Sequence, residues 1–442
     1  MSLPTFSVTA RLLLTALVVF ATPSHAIERI SVSTTGAQGN WQSRYPVVSA
    51  NGRYVAFESD ATTLVPGDTN NAPDVFVRDR QTGTTTRVSV SSTGQQLVGG
   101  SHRPAMSGNG MRIAFTSGGD VLPDSGWHNC YLLDRQAGTV HILDRRHGTG
   151  AASGVICKTP SIDLSGTRVA FSSGENNLLP PGVDSNDRPD VFVRNVATGG
   201  IVRVNLGPGG VQANLGADDL RIAPGGNHVI YSSMANNLVP GDTNNARDIF
   251  LSTLAGATSR VSIGSGNLQP TEDSSMVAAT NWDGSIMAFA NASPNLPDWA
   301  EHAESTLYLR IPGSDDTFAI SLPLQPGMTR ESWNEDPDFS ATGRWLVFWS
   351  GDRIIPGDHD PGGVHVIDLL EGTISIVSLT PQGEVAGGNN FGTRISADGR
   401  GIVWYTNGSD LVPNDTNGTW DVFYADNPLW DDTLFADGFE AD

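Results

Sequence analysis

The stretch Ser49-Ala50-Asn51-Gly52-Arg53-Tyr54-Val55-Ala56-Phe57 is one of seven copies of a single phrase. A small residue precedes a Gly-containing turn, and a short apolar strand closes on an aromatic. The others run from Ser107-Gly108-Asn109-Gly110 to Phe115, Asp163-Leu164-Ser165-Gly166 to Phe171, and Ala223-Pro224-Gly225-Gly226 to Tyr231. Then come Asn281-Trp282-Asp283-Gly284 to Phe289, Ser340-Ala341-Thr342-Gly343 to Phe348, and Ser396-Ala397-Asp398-Gly399 to Trp404. The closing aromatics recur every 56 to 60 residues. A fixed period of this size signals a propeller, solenoid or array.

Within one period the pattern is all β. In the first copy, Tyr45 to Ser49 reads as a strand. Asn51-Gly52 reads as a type I′ turn, with positive φ at both central residues. Arg53 to Glu58 alternates as a second strand. A long loop then leads to Asp74-Val75-Phe76-Val77-Arg78-Asp79, and Thr82-Gly83 turns into Thr85 to Val90. No stretch holds a helical period. Four-stranded units repeated around an axis make a β-propeller.

The chain ends predict closure. The seventh copy stops after Asp421-Val422-Phe423-Tyr424 and lacks a fourth strand. Glu28-Arg29-Ile30-Ser31-Val32-Ser33-Thr34-Thr35-Gly36 matches Arg87-Val88-Ser89-Val90-Ser91-Ser92-Thr93-Gly94, a fourth strand and its exit. The expectation is therefore an all-β, seven-bladed propeller closed by its N-terminal strand, which leaves no unpaired edge at the junction.

The phrase Ser396-Ala397-Asp398-Gly399-Arg400 with its apolar run resembles the WD40-like (PD40) repeat of TolB-type propellers. The segment Leu64-Val65-Pro66-Gly67-Asp68-Thr69-Asn70 through Asp79 is similar to a secreted bacterial subgroup of these repeats. The resemblance spans residues 28 to 425 and implies a fold more than a function. The helical N-terminal domain of TolB has no counterpart here, and the repeats number seven rather than six.

Residues 1–26 read as a signal peptide, with Arg11, the apolar run Leu12 to Phe20, and the small-x-small site Ser24-His25-Ala26. Residues 27–427 are assigned to the propeller and 428–442 to a short tail. The tail's Leu434-Phe435-Ala436-Asp437-Gly438-Phe439-Glu440 resembles those of some exported bacterial proteins. A secreted or periplasmic monomer is expected. No apolar run is long enough for a membrane-spanning helix. Net charge −21, from 26 basic and 47 acidic residues, argues against a nucleic-acid partner. Export would oxidise Cys130 and Cys157, which read either as a disulfide or as two small buried apolar side chains.

Alternating strand direction sends the tight turns to one face of the disc and all long segments to the other. Four long loops contain Asp-x-Asn-x-x-x-Asp: Asp68/Asn70/Asp74, Asp184/Asn186/Asp190, Asp242/Asn244/Asp248 and Asp415/Asn417/Asp421. Calcium is the candidate cofactor, because hard cations take several oxygens from a curved loop. The competing reading is Asx-turns, in which the same oxygens accept backbone amides. The remaining loops depart from the pattern: Asp124 and Asn129 in the second, Asp298 and Thr306 in the fifth, and Asp358-His359-Asp360 with Val364 in the sixth.

Trp41, Trp127, Trp299, Trp333 and Trp420 map to the long-loop face, either as sugar-stacking platforms or as local cores. His359 and His365 read as surface histidines. No nucleophile elbow, His-Glu-x-x-His or phosphate loop is present. The functional expectation is a non-catalytic binding or scaffold protein with a protein or glycan partner at the long-loop face. The alternative is a glycoside hydrolase or lyase acting at the channel mouth.

Overall fold

The computed structural model describes residues 17–18, 27–119, 121–122, 128–153, 155–296, 305–320, 334–351 and 362–430. Nearly all of the signal-peptide segment and residues 431–442 of the tail lie outside them. So do Asp124, Trp127, Asp298, Trp299, Trp333, Asp358, His359 and Asp360. No helix among the described residues is long and apolar enough to cross a membrane.

Seven antiparallel sheets of four strands form a seven-bladed propeller. Blade I comprises Ser43–Val48, Tyr54–Ser59, Asp74–Asp79 and Thr84–Arg87. The inner strands of blades II to VII are Ser101–Met106, Cys157–Ile162, Ala217–Ile222, Ser274–Thr280, Asn334–Phe339 and Asn390–Ile395. Leu17–Val18 runs parallel to Thr373–Ile374 on the outer edge of blade VI.

Closure is as expected. Glu28 and Arg29 pair with Tyr424 and Phe423, and the Ile30 amide donates to Val422 O at 2.8 Å. The Ser31 hydroxyl donates to Asp421 Oδ1 at 2.5 Å, and the Val422 amide donates back to Ser31 Oγ at 3.1 Å.

Both faces of each sheet are apolar, because each packs on a neighbouring blade. Phe57 joins Tyr405 and Tyr424 of blade VII, whereas its neighbour Ala56 joins Phe115 and Tyr131 of blade II. Seven clusters of this kind fill the seven blade junctions. Each blade also stacks one aromatic pair between its second and third strands, from Phe57–Phe76 at 5.9 Å to Trp404–Phe423 at 6.1 Å. In blade VI the partner of Phe348 is His365, 5.5 Å away. His365 is thus buried, contrary to the surface position expected, because it occupies a core aromatic site.

The turns differ from the type I′ expectation. At the first turn only Gly52 takes positive φ, at +73°. Asn51 Oδ1 instead accepts the Arg53 amide at 3.2 Å, which favours a right-handed turn followed by a left-handed glycine. A Cβ on Gly52 would lie 2.8 Å from Tyr424 Oη.

These turns form a belt. Ala50 N donates to Gly108 O, Gly108 N to Leu164 O, and Leu164 N to Pro224 O. Gly225 N donates to Trp282 O, Trp282 N to Ala341 O, Ala341 N to Ala397 O, and Asp398 N to Ala50 O. Seven backbone hydrogen bonds therefore close a ring that draws the tight-turn face together around the axis.

Candidate functional site: the long-loop face and channel mouth

The four Asp-x-Asn-x-x-x-Asp loops share one geometry, and its centre is a residue the loop pattern does not contain. Arg87 Nη1 lies 3.4 Å from both Asp68 and Asp74. Arg203 Nη1 lies 3.2 Å from Asp184 and 3.1 Å from Asp190. Arg260 Nη1 lies 3.0 Å from Asp242 and 3.2 Å from Asp248. In blade VII the arginine comes from the chain's other end: Arg29 lies 3.3 Å from Asp415 and 4.0 Å from Asp421.

Side-chain amides join the same acids. A glutamine from the next hairpin donates to the first Asp in three loops: Gln96 to Asp68, Gln212 to Asp184, and Gln38 to Asp415. In the fourth, Gln269 Oε1 accepts from Arg260. Asn70, Asn186, Asn244 and Asn417 each accept the amide two residues on, an Asx-turn. Burial is the main influence on Asp74, Asp190, Asp248 and Asp421 and raises all four, Asp190 to about 6. The arginines oppose the shift.

Blades that break the loop pattern supply an internal control. The arginine position, opposite the third-strand aromatic, reads Arg87, Arg203, Arg260 and Arg29 in the four blades with intact loops. In blades II, V and VI it reads Ile142, Ala319 and Ile376. The glutamine position becomes Ala152 after blade II and Val385 after blade VI. Arginine and acid pair come and go together, and the glutamine is lost with them after blades II and VI. An arginine 12 or 13 residues after the last Asp was the signal available in three of the loops. These donor sets fit an internal guanidinium in the cation position. Among the described residues no group of three or more His, Cys, Asp or Glu side chains is placed to hold a metal.

The channel mouth obeys a different rule. The inner strands of blades I, II, III, IV, VI and VII each carry a bulge, and the third residue of the strand has positive φ: Tyr45 (52°), Arg103 (54°), Thr159 (48°), Asp219 (49°), Asp336 (52°) and Gly392 (64°). The inner strand of blade V shifts register at the same place, between Ser274 and Ala278. Side chains here diverge from blade to blade, whereas scaffold positions repeat. Arg44 and His102 both approach Glu58, at 3.4 and 3.2 Å. The Arg103 guanidinium sits 3.9 Å from the centroid of Tyr45. Lys158, the only lysine, approaches Asp218 at 3.9 Å. Burial, then its neighbour Asp218, raises Asp219 above the ordinary carboxylate range. Glu335 is raised by burial and then by Asp336.

Beside this ring lies an aromatic cluster. Phe391 contacts Trp349, Tyr405 and Trp420 with centroids 5.6 to 6.0 Å apart, and Tyr405 meets Tyr45 edge-on at 5.6 Å. Trp420 thus belongs to a local core, whereas Trp41 is 61% exposed. Cys130 and Cys157 form a disulfide that staples blade II to blade III.

In fold the chain is similar to an oligogalacturonate lyase solved with manganese: TM-score 0.51 and 12% identity over 92% of this chain and 97% of that one. It is likewise similar to the β-propeller domain of the Trilobed protease from Pyrococcus furiosus, at TM-score 0.51 and 10% identity over 90% and 98%. That domain is described as having an open velcro topology, whereas the present ring is closed by Glu28–Arg29. TolB from Acinetobacter baumannii also matches, at TM-score 0.38 and 12% identity over 87% of this chain and 63% of that one. No family model and no curated protein matches the chain. At such identities the likeness is one of fold alone.

Proposed function

We propose that this chain is an exported binding propeller that holds a protein segment or a glycan at the long-loop mouth of its central channel. The observation that carries this reading is the inner-strand bulge. A non-glycine residue in the left-handed region costs about 1 kcal/mol or more. Gly392 shows that the bulge accepts glycine, yet five blades keep a side chain there, including β-branched Thr159 and bulky Tyr45. Retained strain of this kind accompanies side chains that function needs in place. The Cys130–Cys157 bond supports export to an oxidising compartment.

The test uses Arg103→Gly and Asp219→Gly on glycan and peptide arrays. Both should keep or raise Tm by relieving strain, while weakening binding at least about tenfold. Wild-type binding that survives both substitutions, or no binding by wild type on either array, would refute the reading.

A second reading is acid–base chemistry on a polysaccharide, favoured by two adjacent carboxyl pairs that each have one member raised. Release of reducing or unsaturated ends by wild type and not by Glu335→Gln would support it; silence across a polysaccharide panel would end it.

A further inference from the structure

Deeper in the channel, the fifth residue of the inner strand is Arg221 in blade IV and Arg394 in blade VII. Arg221 reaches past blade V to blade VI. Its Nη1 donates to Pro337 O at 2.8 Å and faces Asp338 Oδ1 at 3.4 Å. This contact links the inner strands of two blades that are not neighbours in the ring.

The nearby carboxylates are partly committed to backbone. Asp338 Oδ2 accepts the Ile395 amide at 3.0 Å, next to Arg394, and Asp336 Oδ2 accepts the Gly392 amide at 2.7 Å. Arg394 Nη1 donates to the Thr393 carbonyl. Arg221 Nη2, in a side chain only 19% exposed, is buried and has no acceptor among the described residues. Burial lowers the Arg221 pKa to about 10, and the charge of Arg394 adds to that shift against the pull of Asp338 and Asp336. Two guanidiniums thus act on one another beside a buried donor that has no acceptor among the described residues. A buried donor without an acceptor is costly, and an oxyanion is the acceptor that also relieves like-charge repulsion.

We propose that Arg221 and Arg394 receive a carboxylate at the inner end of the ligand. The inference rests on the channel-mouth reading and adds the chemical class of the buried group. A peptide C-terminus and a sugar acid both offer that group.

The experiment is thermal melting of the full chain in acetate and in chloride at matched ionic strength. Acetate should raise Tm saturably, by linkage to the native state, and Arg394→Gln should weaken the midpoint at least about tenfold. Among the described residues the Arg394 side chain hydrogen-bonds only to the adjacent Thr393 carbonyl, so this variant should fold even if Arg221→Gln does not. Glucuronate against glucose, and a free-acid tripeptide against its amide, then separate the two sources. Equal melting of wild type in acetate and chloride, or an unchanged midpoint in Arg394→Gln, overturns the proposal. Acetate stabilisation without any array ligand would instead sink only the channel-mouth reading; array binding without an acetate response sinks only the carboxylate site.

Discussion

Arg203 and Asp190, 13 residues apart, meet at 3.1 Å with side chains 5% and 0% exposed. Removing one partner of such a pair leaves an uncompensated buried charge. Arg203→Met should therefore destabilise by about 3–5 kcal/mol. Blade II carries Asn129 and Ile142 at the corresponding sites. A combined Asp184→Asn, Asp190→Asn, Arg203→Ile variant should recover most of the loss in urea melts. No recovery would mean that the arginine acts through packing rather than charge.

Because arginine already compensates each acid pair, titrating calcium into chelator-treated protein should leave Tm unchanged at millimolar excess. A metal bound to the native state would raise it. A calcium-dependent rise would show that the loops take the ion alongside the guanidinium.

Asp144 is fully buried, accepts the Cys130 amide at 3.2 Å, and is pushed up to about 7 by burial. Its folded pKa lies above the unfolded value near 4, so the folded state binds the extra proton. Stability from this group is complete below about pH 4 and is lost as pH rises toward 7. Asp144→Asn should gain on the order of 3 kcal/mol at pH 8 and little at pH 4. Equal gains at both pH values would exclude titration as the cause.

His365 works in the opposite direction. Burial lowers its pKa to about 4, only partly offset by the Gly363 backbone. The unfolded chain takes up the proton first, so stability is lost as pH falls from about 6.5 toward 4. His365→Phe, which restores the stacked pair of the other blades, should flatten that acid limb. An unchanged acid limb would place the titration elsewhere.

Closure can be probed with Ile30→Pro, which deletes the bond to Val422 O. A loss of about 3 kcal/mol or more, with dimers formed through the exposed edge of Asp421–Asp426, is expected. Sedimentation of a stable monomer at wild-type Tm would contradict it.

What the sequence determined by itself was everything carried by short-range periodicity. The spacing from Phe57 to Trp404 gives seven blades, and the match of Glu28–Gly36 to Arg87–Gly94 gives the closing strand. Both follow from alternation and turn chemistry repeated at a constant interval, and burial against identical neighbours preserves such patterns. Only the tertiary structure decided what the acid loops face. Ser31 and Arg29 reach Asp421 across 390 residues or more, and no local motif encodes that distance. The channel was hidden for the same reason. Arg221, Asp336 and Arg394 belong to three different inner strands, and they become neighbours only when the ring closes and brings those strands around one axis.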